Sequence, residues 1–287
     1  MNFVLYHKDC QCIKHRIRIF LKKKQTLSLI AYLKVIFLSH FICLQSFAIE
    51  TNQQIIEKYG IVAEKFTLHQ PTYFIIGSED AKMQFSFKYR LSLDAQLYLA
   101  YSQLMFWSIY EDSSPFYDVN FNPEIFYRLI DKEQNALATL DLGHMHLSNG
   151  QKEKFSRSLD RLYLRTNYVT KLRRHKLNFN LMIFQLFNED DTNKDIVNHL
   201  GYWDLRVLFS NLLMFEKSEI GFELRTYAGS KLYDFDQGAL QLGLIWSFQS
   251  ESFNPAIYLQ FFEGYSESLM GYDKSRTEYR LGLNLTF

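Results

Sequence analysis

Residues 279–287 read Tyr-Arg-Leu-Gly-Leu-Asn-Leu-Thr-Phe. Tyr279, Leu281, Leu283, Leu285 and Phe287 share one parity; Arg280, Gly282, Asn284 and Thr286 share the other. Successive side chains of a strand point to opposite faces, so this stretch is a strand with one apolar and one polar side. Residues 239–248 repeat the pattern, with Leu240, Leu242, Leu244, Trp246 and Phe248 set against Gln241, Gly243 and Ser247. Residues 177–183 do so again, with Leu177, Phe179, Leu181 and Ile183 set against Asn178 and Asn180. Working outward, the chain from residue 82 onward alternates in blocks of roughly ten residues parted by polar turns. The spacing predicts strands near 82–91, 95–107, 122–131, 135–148, 159–170, 176–188, 200–210, 217–228, 236–248, 255–265 and 276–287, with 72–78 a further one.

Alternation by itself fits a soluble sandwich as well as a membrane barrel, since it does not say whether the apolar face meets a core or lipid. The polar faces help, because they carry charge: Arg161 and Arg165, Glu223 and Arg225, Glu278 and Arg280. Aromatic residues make up 17%, with 19 Tyr and 26 Phe, which suits a lipid-facing band with aromatic girdles. The 4 Pro and 12 Gly argue against a disordered or collagen-like chain.

The beginning of the chain has a different composition. A basic stretch (Lys14, Arg16, Arg18, Lys22, Lys23, Lys24) precedes an apolar run at 35–44 and then Ser46-Phe47-Ala48. That order is expected of a cleaved secretory signal over 1–48. Lys34 and His40 interrupt the run, which is also short for a spanning helix. Residues 49–70 then form a periplasmic lead-in and 71–287 the barrel. Of the 32 Lys and Arg and 31 Asp and Glu, eight basic and one acidic residue fall within 1–48, so the remainder carries a net charge of −6. No nucleic-acid partner is expected of it. All three cysteines (Cys10, Cys12, Cys43) also fall within 1–48, which removes thiol nucleophiles, disulfides and thiolate metal sites from the mature chain. Secretion, alternation and charged inner faces together predict an all-β fold: a transmembrane antiparallel up-and-down β-barrel of about 12 strands in a bacterial outer membrane. A closed barrel is the sheet that spans lipid without leaving backbone groups unpaired.

Chemistry concentrates at residues 140–150, Leu-Asp-Leu-Gly-His-Met-His-Leu-Ser-Asn-Gly. Leu140, Leu142, His144, His146 and Ser148 share the apolar, lipid-directed parity, and polar groups facing lipid are costly unless paired. On the next strand Asp160 shares parity with Leu162 and Leu164, and an antiparallel hairpin brings it near His146. Ser148, His146 and Asp160 can then form a nucleophile, a base and an orienting carboxylate. Interfacial polar residues at a barrel rim would give the same pattern. His144 reads as such a residue, and Trp107 and Phe121 read as belt or dimer residues.

His146-x-Ser148-Asn149-Gly150 is followed by Ser156-Arg157-Ser158-x-Asp160-Arg161-Leu162-Tyr163. Together these runs resemble the signature of the outer membrane phospholipase A family. Glu111-Asp112-Ser113-Ser114-Pro115-Phe116, Gly201-Tyr202-Trp203 and Gly264-Tyr265-Ser266-Glu267-Ser268-Leu269 are similar to further motifs of that family, in order over most of 66–287. The resemblance implies a calcium-dependent enzyme that releases fatty acids from membrane phospholipids (phospholipase A1/A2 and lysophospholipase activity) and is active as a homodimer. It implies Ser148 as nucleophile, His146 as general base and Gly150 N–H as an oxyanion donor. As Ca2+ ligands it implies the Ser156 hydroxyl, the Gln151 main-chain carbonyl and the hydroxyl of Ser113 of the partner subunit. The family usually carries Asn where Asp160 stands and Arg where Gln151 stands. Asp112 and Asp118 read as solvated loop acids. The competing expectations are a lipid A deacylase, which shares the H-x-S-N pattern, and a non-enzymatic outer-membrane pore or structural barrel.

Overall fold

The computed structural model describes residues 65–92, 95–132, 137–249 and 255–285. The expected signal over 1–48, most of the lead-in and Phe287 lie outside the described residues. The strands are β1 (Phe66–Leu68), β2 (Thr72–Gly77), β3 (Ala81–Arg90), β4 (Leu97–Trp107), β5 (Phe116–Lys132), β6 (Leu137–Ser148) and β7 (Ser158–Leu172). β8 (His175–Phe187), β9 (Trp203–Met214), β10 (Ser218–Tyr227), β11 (Ala239–Phe248), β12 (Pro255–Gly264) and β13 (Arg276–Leu285) follow. One short helix, α1 (Val197–Leu200), precedes β9.

From β3 to β13 every strand pairs antiparallel with its sequence neighbours, and β13 closes onto β2 from Arg280↔Gly77 to Leu285↔Thr72. β1 and β2 both pair with β3, at Phe66↔Tyr89 and Tyr73↔Gln84, so they are two halves of one stave broken at residues 69–71. Pro71 sits in that break, and it has no N–H to give a ladder. The result is a closed twelve-strand up-and-down barrel. The sheet begins at Phe66, inside the stretch read as lead-in.

Which face is wet separates the barrel from the sandwich. Arg280 is 1% exposed while its outward neighbours Leu281 and Leu283 are 55% and 58% exposed. Arg161, Arg165, Glu223 and Glu278 are buried like Arg280. An interior of charge inside an apolar wall is the reverse of a soluble domain and is what lipid demands. Among the described residues no helix is long and apolar enough to cross a membrane, so spanning falls to the strands.

Two elements differ from expectation for the same reason. β5 begins at Phe116 rather than near 122, and it carries the weak strand formers Asp118, Asn120 and Asn122 on its inner side. Asp118 Oδ2 accepts from Met270 N–H at 2.8 Å and Asn120 Oδ1 from Leu269 N–H at 3.1 Å, so the β12–β13 loop folded into the lumen stabilises residues that local preference disfavours. Asp118, 3% exposed, is therefore not a solvated loop acid. β9 begins at Trp203 rather than 200, because α1 and Gly201 take up the preceding residues.

The same lumen orders β6. Gly143 faces inward, where a Cβ would stand 2.3 Å from the Tyr163 hydroxyl. With only hydrogen there, the Tyr163 ring lies over β6 and its hydroxyl donates to Glu124, which Arg165 also holds at 2.7 Å. β6 and β7 are thus clamped from inside, fixing what they carry outside.

Candidate active site

The β6–β7 register puts His146 opposite Asp160 and Ser148 opposite Ser158. All of these sit at the end of the hairpin, on the outward face, where the apolar rows Leu142 and Leu162–Leu164 end. Asp160 Oδ1 accepts from His146 Nδ1 at 2.9 Å, which leaves Nε2 without that partner, while Ser148 Oγ accepts from Gly150 N–H and is not hydrogen-bonded to the imidazole. On the β5 side the register continues from Phe121↔Ser148 to Glu124↔Met145, which places Pro123 across from His146. The imidazole therefore has a carboxylate on one flank and an aliphatic ring on the other.

Two further side chains reach Asp160, one of them unmarked in the sequence. Asn188, just past the end of β8, donates from Nδ2 to Asp160 Oδ2 at 2.9 Å. His144 brings Nε2 to 3.3 Å from the same Oδ1 that His146 uses. The signal for His144 was its parity with His146; Asn188 is 28 residues away in sequence, and nothing local marks it.

After Ser148 the chain must reverse into the loop 149–157. Asn149, 2% exposed, closes that loop: its N–H donates to Arg157 O at 3.0 Å, and its Oδ1 accepts from Arg157 N–H at 2.9 Å and from Gln151 N–H at 3.2 Å. Its Nδ2 donates to Phe155 O at 2.9 Å. Gly150 has φ 64, a left-handed conformation that costs glycine little, and its N–H points back to Ser148 Oγ at 3.1 Å. A Cβ on Gly150 would stand 3.1 Å from the Phe121 ring, so Phe121 braces this turn from β5 instead of serving only a girdle.

The β8–β9 loop docks against the far side of the same turn. Ser158 and Asn193 exchange two hydrogen bonds at 3.1 Å, and Asp190 N–H donates to Ser158 O at 2.9 Å. Ser156 Oγ donates to Asp190 Oδ2 at 2.8 Å. Hydrogen bonds from Thr192 N–H, the Ser156 hydroxyl and the Thr192 hydroxyl hold the Asp190 carboxyl below the usual carboxylate range, so it is ionised at neutral pH. Ser156 thus has a carboxylate at its hydroxyl, and Gln151 lies within the same short loop. Ser113, with φ 62, lies in the exposed loop between β4 and β5, anchored where Trp107 Nε1 donates to Ser114 O at 2.6 Å. Among the described residues no group of three His, Cys, Asp or Glu converges as a metal cage. The oxygens at 151, 156 and 190 are carbonyl, hydroxyl and carboxylate, a hard set of the kind Ca2+ takes.

Comparison with known proteins bears on this geometry. The family model for phospholipase A1 matches residues 21–285. The Escherichia coli (strain K12) phospholipase A1 is 26% identical over 193 residues, covering 65% of this chain and 61% of that protein. A putative phospholipase A1 of Neisseria meningitidis serogroup B is 26% identical over 71% of this chain and 54% of its own length. The chain thus matches about three fifths of the length of these curated relatives. Among solved structures, outer membrane phospholipase A from Escherichia coli superposes with a TM-score of 0.64 at 21% identity, covering 77% of this chain and 94% of that one. The Salmonella typhi outer membrane phospholipase, solved as a dimer with bound calcium, gives 0.62 at 22% identity. The chain is a bacterial outer-membrane barrel and belongs to the phospholipase A1 family.

Proposed function

We propose that the chain hydrolyses acyl ester bonds of phospholipids, with Ser148 as nucleophile, His146 as general base and Asp160 as its orienting carboxylate. The observation that carries this reading is the cross-strand His146–Asp160 hydrogen bond on the lipid-facing side, with Ser148 two residues along the same row. A phospholipid in the outer leaflet can present its ester to that row without leaving the membrane.

His146 Nε2 takes the Ser148 proton as Oγ attacks the ester carbonyl, while Asp160 stabilises the imidazolium and holds Nδ1–H in the needed tautomer. His146 then returns the proton to the departing glyceryl oxygen, leaving the acyl group on Ser148. Water, deprotonated by His146, releases the fatty acid and restores the serine. The Gly150 N–H, preset by its left-handed backbone, donates to the developing oxyanion. The Ser156 hydroxyl and the Gln151 carbonyl, with Ser113 of the partner subunit, would hold a calcium ion, which when bound would supply Lewis-acid polarisation of the ester carbonyl. The ionised Asp190 beside Ser156 adds a fourth oxygen that fits such an ion. Needing Ser113 from a second copy makes the active form a homodimer.

The test is fatty-acid release by the refolded chain from detergent-dispersed phospholipid, with calcium and with a chelator. Chelation lowers the rate at least about a hundredfold, the cost of losing one oxyanion stabiliser. Calcium restores it, whereas magnesium, with its smaller octahedral demand, does not. Release from no phospholipid under any condition, by a folded barrel, would overturn the reading.

A second expectation concerns Asp160. In Asp160→Asn the amide oxygen still accepts from His146 Nδ1, and the new NH2 group faces Asn188, whose own amide turns over to accept it. The variant keeps activity within about tenfold of wild type, while Asp160→Ala, which leaves no acceptor, loses far more. An Asp160→Asn protein as inactive as Ser148→Ala would show that the carboxylate charge itself is indispensable.

A further inference from the structure

Asp160 is the meeting point of three side chains, not one. His146 Nδ1 is 2.9 Å from Oδ1, His144 Nε2 is 3.3 Å from that same Oδ1, and Asn188 Nδ2 is 2.9 Å from Oδ2. His144 lies across from Leu162 in the ladder, so its ring reaches Asp160 diagonally, which long and aromatic side chains on neighbouring strands can do. On its other flank its cross-strand partner is Ile125, and its ring stands 5.7 Å from the Phe187 ring. The charged or titratable groups it meets on these elements are Asp160 and, along its own row, His146. An imidazole at the edge of an apolar wall, flanked by Leu162, Ile125 and Phe187 and within 3.3 Å of one carboxylate oxygen, has a neighbour that a mere surface residue would lack.

We propose that His144 is a positioning residue of the hydrolysis: through Asp160 it fixes the carboxylate that orients His146. Asp160 lies on an outward face, 14% exposed, where few fixed groups hold a short carboxyl group. With Asn188 gripping Oδ2 and His144 drawing on Oδ1, its plane is set before His146 binds. His144 touches neither Ser148 nor the place where the ester sits, so it acts only through Asp160. The inference rests on the hydrolase reading of the site and deepens it.

The experiment measures kcat and KM on dispersed phospholipid for wild type, His144→Leu, His144→Gln, Asp160→Ala and the His144→Leu/Asp160→Ala double variant. His144→Leu lowers kcat about tenfold with KM unchanged, the scale of loss when the carboxylate that orients the base is no longer held in one plane. His144→Gln, whose Nε2 reaches to about the same point as the imidazole Nε2, recovers most of it. Adding His144→Leu to Asp160→Ala has no further effect, since groups that act as a unit are non-additive. The inference is overturned if His144→Leu keeps wild-type kcat, if Gln fails to rescue, or if the His144 effect persists at full size without Asp160. A folded wild type that releases no fatty acid would instead sink the hydrolase reading, and this inference with it.

Discussion

Ser148→Ala is expected to abolish fatty-acid release, lowering kcat by at least about 10^4-fold while the barrel folds as before. In the proposed mechanism the hydroxyl is the atom that forms the acyl bond, and neither His146 nor the oxyanion donors could replace it. The structural cost is small. Ser148 Oγ accepts one hydrogen bond, from Gly150 N–H at an exposed turn, and that amide can turn to water instead. The loss of stability is within about 1 kcal/mol. His146→Ala falls to a similar floor, and the double variant goes no lower, because nucleophile and base work as one unit. Residual release in Ser148→Ala within about tenfold of wild type would mean that another group attacks the ester, and the site as described would be wrong.

Parity places His146, Ser148 and Asp160 on the outward face because a barrel strand exposes one whole row to lipid. His146, Ser148 and Asp160 break apolar rows, and a polar break in a lipid-facing row is conspicuous in a way that a polar residue in a lumen is not. The outward face was therefore legible almost residue by residue. The inner face and the loops were not. Asp118, Asn120 and Asn122 look like loop residues by preference, yet they form the start of β5, because the loop after β12 supplies donors some 150 residues away in sequence. Asn188, Asp190 and Asn193 belong to the β8–β9 loop, and only the closed barrel brings them against the 149–157 turn. Asn149 was quoted as part of a motif, but its work as the clasp of that turn depends on four hydrogen bonds that no spacing rule announces.

This division also explains why the proposed catalytic side chains can sit where they do. A hydroxyl and two imidazoles at the lipid boundary need partners that are rigid, since a mobile loop would let them find water or each other. Rigidity comes from within: the Gly143–Tyr163 contact joins β6 to β7 and the Glu124–Arg165 pair joins β5 to β7 from the lumen, one side chain away from the outer row. The barrel's charged core is thus part of how the outer face keeps its geometry, which ties stability to activity in a testable way.

Arg280→Met is expected to destabilise the folded barrel by about 3 kcal/mol, the low end of the cost of breaking a buried ion network from one side. Arg280 is 1% exposed and makes three charged hydrogen bonds: to Asp80 Oδ1 at 2.7 Å and to Glu267 Oε1 and Oε2 at 2.6 and 3.2 Å. Without it, Glu267 keeps Lys82 at 2.9 Å, and Asp80 keeps Tyr117 at 2.6 Å and Arg276 at 3.1 Å. Neither carboxylate is wholly stranded, which is why the estimate stays at the low end. Glu267 belongs to the loop that gives its backbone N–H groups to Asp118 and Asn120, so weakening its hold loosens the start of β5 as well. Urea unfolding of wild type and Arg280→Met in the same lipid or detergent measures the difference, with Leu281→Ala, one residue along on the outward face, as the comparison. Leu269 and Tyr272 of the same loop share a buried cluster with Met145, Leu147 and Leu159 of β6 and β7, so the folded variant is expected to lose part of its kcat as well. A change below about 0.5 kcal/mol, the range of an ordinary surface substitution, would mean that water in the lumen compensates these charges and that the network does not hold the loop.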